Sequence, residues 1–223
     1  MIDAALQRKN MVESQVRPSD MSDRRVIRAM LEVPREAFVP EALRSIAYMD
    51  SELPLAHAGA GRPPRAMMAP RTLAKLLQLA EFNETDVVLD IGAGTGYSSA
   101  VIARIVKRVV ALEEDEALAL EAAKTLGAVG VGSVAVVQEQ LAIGAPNEGP
   151  YDVIVMEGAV ADVPDRILDQ LKDGGRLVAI VAASGFGQAK VWRRLGASFD
   201  SRVGFDAGGP LLPGFGKAAE FVL

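Results

Sequence analysis

The stretch richest in chemistry is Val87-Val88-Leu89-Asp90-Ile91-Gly92-Ala93-Gly94-Thr95-Gly96-Tyr97. An apolar run leads into a carboxylate and then into three glycines at alternate positions. Glycine tolerates positive φ and lets a ligand come close to the backbone. A helix opening at Tyr97 would add free amide donors at the positive end of its dipole. Such a loop suits a nucleotide or nucleoside. Its spacing is G-x-G-x-G, whereas a pyrophosphate-binding turn reads G-x-G-x-x-G. Asp90 would repel phosphate and attract a cation. S-adenosylmethionine carries a sulfonium and an ammonium, so it suits this loop better than NAD does. Glu113 follows Asp90 by 23 positions and ends the next apolar run. An acid there borders the same cleft and can accept both ribose hydroxyls. Glu114 and Asp115 read first as helix N-terminal acids, with Glu114 also at the edge of the cleft. The cofactor site expected from this stretch is Asp90, Ile91, Gly92, Ala93, Gly94, Gly96, Glu113 and Glu114.

These residues need a sheet to hold them. From residue 86 apolar runs alternate with helical patterns: strands at 87–89, 109–112, 134–137, 153–156 and 177–181, and helices at 97–106, 114–126 and 164–171, the last stopped by Lys172-Asp173-Gly174-Gly175. Continuous apolar runs fit strands covered on both faces, and repeated strand–helix order gives a doubly wound, Rossmann-like, mostly parallel α/β sheet with helices on both faces. Segments 191–195 and 201–205 read as antiparallel closing strands, Pro210 to Gly214 as a turn, and Phe221-Val222-Leu223 as an added edge strand. Residues 1–80 read as a helical N-terminal extension. Asp20 to Asp23 supplies cap candidates, Val26, Ile27, Met30 and Leu31 recur at helical spacing, and Pro34 ends that helix. Residues 51–71, rich in Pro and Gly, read as a long irregular loop of functional type, and Leu73, Leu76, Leu77 and Ala80 as one helix face. The extension (1–80) and the S-adenosylmethionine-binding part (81–223) are expected to form one compact unit.

Composition narrows the chemistry. Half of the 223 residues are hydrophobic, enough for a buried core. A net charge of −5 leaves no electrostatic footprint for nucleic acid. No cysteine is present, which excludes thiolate nucleophiles and zinc ribbons, and His57 is the only histidine, which excludes multi-histidine metal sites. No metal site is expected, although an all-carboxylate one stays formally open. No apolar run approaches the ~20 residues of a membrane helix, and the first residues do not read as a signal peptide. The expectation is a cytoplasmic protein without membrane or nucleic-acid partners.

Other segments carry a resemblance. Asp23-Arg24-Arg25-Val26-Ile27-Arg28-Ala29-Met30 leads into Val33-Pro34-Arg35-Glu36-Ala37-Phe38-Val39-Pro40, followed by Ala47-Tyr48-Met49-Asp50 and Leu53-Pro54-Leu55. Later come Gly149-Pro150-Tyr151-Asp152-Val153-Ile154-Val155 and Leu171 to Val178. With the glycine loop, this order resembles the protein-L-isoaspartate O-methyltransferase family over roughly residues 8–182. The resemblance implies methyl transfer from S-adenosylmethionine to the carboxylate of isoaspartyl residues in damaged proteins. A carboxylate is already ionised near neutral pH, so the attack needs no general base, and alignment with partial desolvation can carry the rate.

The chain departs from that family in three places. The family places a Ser, followed two residues later by Pro, before the helix at 72–80, and this Ser is taken to act at the substrate carboxylate. Here no Ser or Thr occurs between Ser51 and Thr72, and Arg62 or Arg65 falls at that position, depending on the gap. Either could pair with a carboxylate through its two-pronged guanidinium or lie on the surface. His57 is a further catalytic candidate, against the commoner structural role of a lone histidine. The family's Gly-Asp-Gly, which meets adenine, is Glu139-Gln140-Leu141 here. The Gln140 oxygen can still accept from an amino group, which adds Gln140 and Leu141 to the expected cofactor site. A Thr usual after the fourth strand is Glu157, which joins the expected cofactor site and also puts a negative charge beside the substrate pocket that Arg62 or Arg65 could offset. A methyltransferase for a different, small acceptor and a non-catalytic S-adenosylmethionine-binding protein are the competing readings.

Overall fold

The structure, a computed structural model, describes residues 3–56, 64–184 and 186–215. His57, Arg62 and the expected edge strand at 221–223 lie outside the described residues. Helix α1 (Ala4–Met11) is capped by Asp3, whose carboxylate accepts from the amides of Ala5 and Leu6. Helix α2 (Arg24–Glu32) is capped by Asp23 and ends where Val33, held extended before Pro34, leaves the helical region. The segment expected to be a loop at 51–71 instead contains a small antiparallel hairpin. Its strands are β1 (Leu53–Ala56) and β2 (Arg65–Met67), with Leu53 opposite Met67 and Pro54 opposite Ala66. Strands this short, edged by prolines, leave no readable period in the sequence. Helix α3 (Pro70–Leu79) starts on a proline, whose missing N–H costs nothing at a first helical position.

Seven strands form the main sheet: β3 (Val87–Ile91), β4 (Arg108–Glu113), β5 (Val134–Gln138), β6 (Tyr151–Val160), β7 (Leu171–Ser184), β8 (Phe186–Leu195) and β9 (Ser198–Ala207). Their order is β5-β4-β3-β6-β7-β8-β9, with the first five parallel and β8 and β9 antiparallel. Helices α4 (Tyr97–Ile102), α5 (Glu116–Ala128) and α6 (Asp165–Leu168) connect the strands. Helices α4 and α6 are shorter than the sequence pattern suggests. The Lys172-Asp173-Gly174-Gly175 run, expected to stop a helix, lies inside β7. There the register against β6 slips between Tyr151 and Val153, and Gly174 takes φ +75°.

Alternation along the strands sorts the core into two layers. Val88, Val109, Val153, Val155, Val178 and Ile180 pack with α2, α3, α4 and α5 on one face. Leu89, Ile91, Val110, Leu112, Ile154 and Met156 pack on the other with Ile167 and Leu168 of α6, with Leu141, and with Leu212 and Phe215 of the tail. The first layer joins residues before position 80 and after it in one cluster. The tail is bound to the end of β6: Ala159 N–H donates to Pro210 C=O (2.8 Å), and Leu212 N–H to Ala159 C=O (2.9 Å). The strand sequence runs outward from β3 through β4 to β5, then returns to β6 on the other side of β3. The C-terminal ends of β3 and β6 therefore flank a topological switch point, where doubly wound sheets bind ligands.

Candidate active site

Three buried carboxylates converge on that crevice: Asp90 from β3, Glu113 from the end of β4 and Glu157 from β6. Between them runs the glycine loop. Gly92, Gly94 and Gly96 have φ of +81°, +57° and +95°, a region L side chains adopt only under strain. This explains three glycines at alternate positions. Gly96 then starts α4 from a left-handed conformation.

Asp90 is fully buried, and one oxygen accepts from the hydroxyls of Ser98 (2.7 Å) and Ser99. Its other oxygen, Oδ1, has no partner among the described residues. Burial raises its pKa to about 6; the two serine hydroxyls act in the opposite direction, and Glu113 adds to the rise. Glu157 sits where the β6–β7 register slips between Val155 and Ala159. Its Oε1 is buried and unpartnered among the described residues. Burial, then the charge of Asp90, pushes its pKa well above the usual carboxylate range, against the pull of Arg35 and Arg65.

Glu113 is held differently. Its Oε1 accepts from the backbone amides of Glu114 (3.0 Å) and Asp115 (3.2 Å). Its Oε2 accepts from the Gly94 amide and from Nη2 of Arg65, each at 2.8 Å. Glu114 lies beside it and accepts from the Leu141 amide at 3.4 Å, which ties Leu141 to the same edge. Gln140 is exposed there, its amide bonded to Glu139. Ile91 is buried beneath the loop, and Ala93 is nearly so.

The structure also assigns residues that the sequence reading passed over. Arg35 is fully buried, donates to the carbonyls of Ala47 and Met68 (2.8 Å each) and lies 4.8 Å from the Tyr97 ring centroid. Burial lowers its pKa. Thr95 donates to the Phe38 carbonyl, so the N-terminal extension grips the glycine loop directly. Leu55, Met67, Met68 and Leu73 wall the cleft beside Gly92, Gly94, Tyr97 and Glu157. Ser98 and Ser99 had a signal in the sequence, two adjacent hydroxyls one residue into a helix that follows a glycine loop. Arg35 had none, because its partners are backbone carbonyls far away in the chain.

A family model described as protein-L-isoaspartate(D-aspartate) O-methyltransferase matches residues 6–203. This chain belongs to that family. The protein-L-isoaspartate O-methyltransferase 1 of Rhodopseudomonas palustris (strain HaA2) is 40% identical over 179 residues, spanning 80% of this chain and 71% of the relative. The corresponding protein of Geobacter metallireducens is 38% identical over 171 residues, spanning 77% and 76%. A solved protein-L-isoaspartate O-methyltransferase superposes with a TM-score of 0.82 at 25% identity, over 94% of this chain and 67% of the other. A Plasmodium falciparum structure of that name, in complex with S-adenosyl-L-homocysteine, gives 0.76 at 18% identity over 92% and 97%, a likeness of fold.

Within this isoaspartate methyltransferase fold, the unpartnered buried atoms test whether the donor suits the crevice. Buried polar atoms are normally hydrogen-bonded. Here Asp90 Oδ1, Glu157 Oε1 and Nε and Nη1 of Arg65 are all buried without partners among the described residues. Two acceptor atoms on carboxylates call for cationic or donor groups from a ligand, and a sulfonium–ammonium compound supplies them. This carboxylate pair suits S-adenosylmethionine and would repel a phosphate. Among the described residues no group of His, Cys, Asp and Glu is placed to hold a metal ion, and no helix is long and apolar enough to cross a membrane.

Proposed function

We propose that this chain methylates the free carboxylate of isoaspartyl residues in proteins, using S-adenosylmethionine. The observation that carries the reading is the triplet of buried carboxylates around the glycine loop, two of them with an oxygen still unpartnered among the described residues. When bound, S-adenosylmethionine supplies an electrophilic methyl group on a sulfonium. Asp90 and Glu157 would hold the cationic end, Glu113 the ribose hydroxyls, and Gln140 and Leu141 the adenine edge. The glycine loop would form the floor under the sugar. Leu55, Met67, Met68 and Leu73 exclude water from the wall of the cleft, which strengthens every electrostatic contact inside. The acceptor carboxylate arrives ionised, so no residue is required to remove a proton.

With α3 starting at Pro70, counting back two residues from that proline puts Met68, in place of the expected Arg62 or Arg65, where the family has its Ser. Met68 cannot donate a hydrogen bond to an acceptor carboxylate, and its own carbonyl is taken by Arg35. Arg65 points at Glu113. This apolar wall, with Glu157 buried beside it, favours one second reading: a methyltransferase for an acceptor other than isoaspartate. Transfer of labelled methyl to an isoaspartyl peptide, against the normal aspartyl peptide, separates the two. Label on the isoaspartyl peptide alone supports the proposal. Equal background on both, with label on another acceptor, supports the second reading.

A further inference from the structure

We propose that Arg65 is an internal competitor for the ribose end of the methyl donor: the notch closes on its own arginine, and the donor binds by displacing that arginine from Glu113. The inference rests on the S-adenosylmethionine reading above. A carboxylate has about four lone-pair sites, and those of Glu113 are all taken: the amides of Glu114, Asp115 and Gly94, and Nη2 of Arg65. No acceptor capacity is left for a ribose diol. Three of the four partners are backbone amides fixed by β4, by the start of α5 and by the glycine loop. Arg65 is the one side chain among them, and so the one partner that can leave without unfolding the floor.

The surrounding contacts point the same way. Nη2 of Arg65 also donates to the Gly92 carbonyl at 3.0 Å, so the guanidinium lies across the loop a ligand must reach. A Cβ placed on Gly92 would stand 2.7 Å from Leu212 Cδ2 and 3.2 Å from Arg65 Nη2. One placed on Gly94 would stand 2.6 Å from Leu55 Cδ1. Space that glycine leaves open is thus filled by Arg65 on β2, Leu55 on β1 and Leu212 of the tail. The plug is also imperfect. Both side chains of the ion pair are buried, at 6% and 0% exposure, yet Nε and Nη1 of Arg65 have no partner among the described residues. An ion pair desolvated without full hydrogen bonding returns little net stability, so a ligand with better partners can replace it.

The test is calorimetric titration of S-adenosylhomocysteine into the wild type and Arg65→Met, with melting of each protein in the absence and presence of the ligand. Methionine keeps much of the volume but cannot pair with Glu113. Arg65→Met is expected to bind about tenfold tighter or more, and to melt lower than the wild type alone while gaining more on saturation. Equal or weaker binding by Arg65→Met, with a wild type that binds, overturns the plug and leaves the donor reading intact. Binding by neither overturns both. If Arg65→Met does not fold, Arg65→Lys keeps the charge but loses the planar guanidinium whose Nη2 bridges the Gly92 carbonyl and Glu113. About threefold tighter binding by that variant supports the proposal, and unchanged binding overturns it.

Discussion

Asp90→Asn should make the protein without ligand relatively more stable as pH rises, and cost it the methyl donor. Asp90 is fully buried, one oxygen on two serine hydroxyls and the other unpartnered among the described residues. Its pKa rises from 3.8 to about 6, chiefly through burial. Each pH unit corresponds to ~1.4 kcal/mol, so ionising Asp90 in the folded protein costs ~3 kcal/mol more than in the unfolded chain. The sign follows from linkage: for a raised pKa, the contribution to stability is fully present below pH 3.8 and is lost as pH rises through about 6. Asparagine does not titrate. Its fixed cost, an amide in place of a carboxylate, is the same at every pH. The stability difference, variant minus wild type, should therefore grow by ~3 kcal/mol between pH 4 and pH 7 and then level off. At 2–4 °C per kcal/mol for a chain of this size, that corresponds to roughly 6–12 °C in melting temperature. Glu157 acts in the same direction, since removing the charge of Asp90 eases its ionisation. The assay is thermal melting of both proteins across this pH range, with donor titration in parallel. A cationic donor favours ionised Asp90, so wild-type affinity should fall as pH drops below about 6, by up to about tenfold per unit, and Asp90→Asn should bind far more weakly and keep only the dependence that Glu157 imposes. A melting difference that is flat or shrinking from pH 4 to 7 would refute the reasoning.

Gly94→Ala places a Cβ at φ +57° and 2.6 Å from Leu55 Cδ1. It should cost about 1–2 kcal/mol in melting and most of the donor affinity in calorimetry. Asp86→Ala leaves Arg176 buried without the carboxylate it meets at 2.8 Å, although the carbonyls of Ala80 and Glu81 still accept from it. Denaturant unfolding should show a loss of about 3–5 kcal/mol, with donor affinity of the folded protein unchanged. Met68→Ser should lower stability by about 2–4 kcal/mol through lost burial and change isoaspartyl methylation per folded molecule by less than about tenfold. A larger gain would show that the hydroxyl is the missing element.

The parallel sheet and the glycine loop were legible because their signals are local. An apolar run, an acid and three glycines specify strand, turn and helix within eleven residues. The antiparallel closing strands were expected at 191–195 and 201–205, and both are longer in the structure because β8 pairs along β7, and β9 along β8, past those residues. The hairpin β1–β2 was not legible. Four and three residues beside prolines show no period, and what fixes them is each other and the cleft they cover. Arg65 was a candidate through the place that the resemblance gave it near the family's Ser, but its partner stands 48 positions away, and nothing local distinguishes that contact from solvent exposure. Leu212 was read as part of a turn. Its position over Gly92 comes from two backbone bonds to Ala159, a pairing that a single sequence does not encode in any window.

The electrostatics of the crevice choose among nucleotides more sharply than the loop spacing does. Three buried carboxylates face two buried guanidiniums, those of Arg35 and Arg65, and the excess of negative charge is relieved in three ways at once. Asp90 and Glu157 hold protons more firmly than free carboxylates, and Glu113 borrows Arg65. Each relief is what a desolvated acid does when its natural counter-charge is elsewhere. A dinucleotide or nucleoside phosphate would add negative charge to this crevice and worsen all three. A positively charged nucleoside removes the need for the raised protonation, and its sugar can take the place of Arg65. The same residues therefore exclude one class of ligand and describe the other, and the charge deficit among Asp90, Glu113 and Glu157 is a better guide to the ligand than any count of glycines.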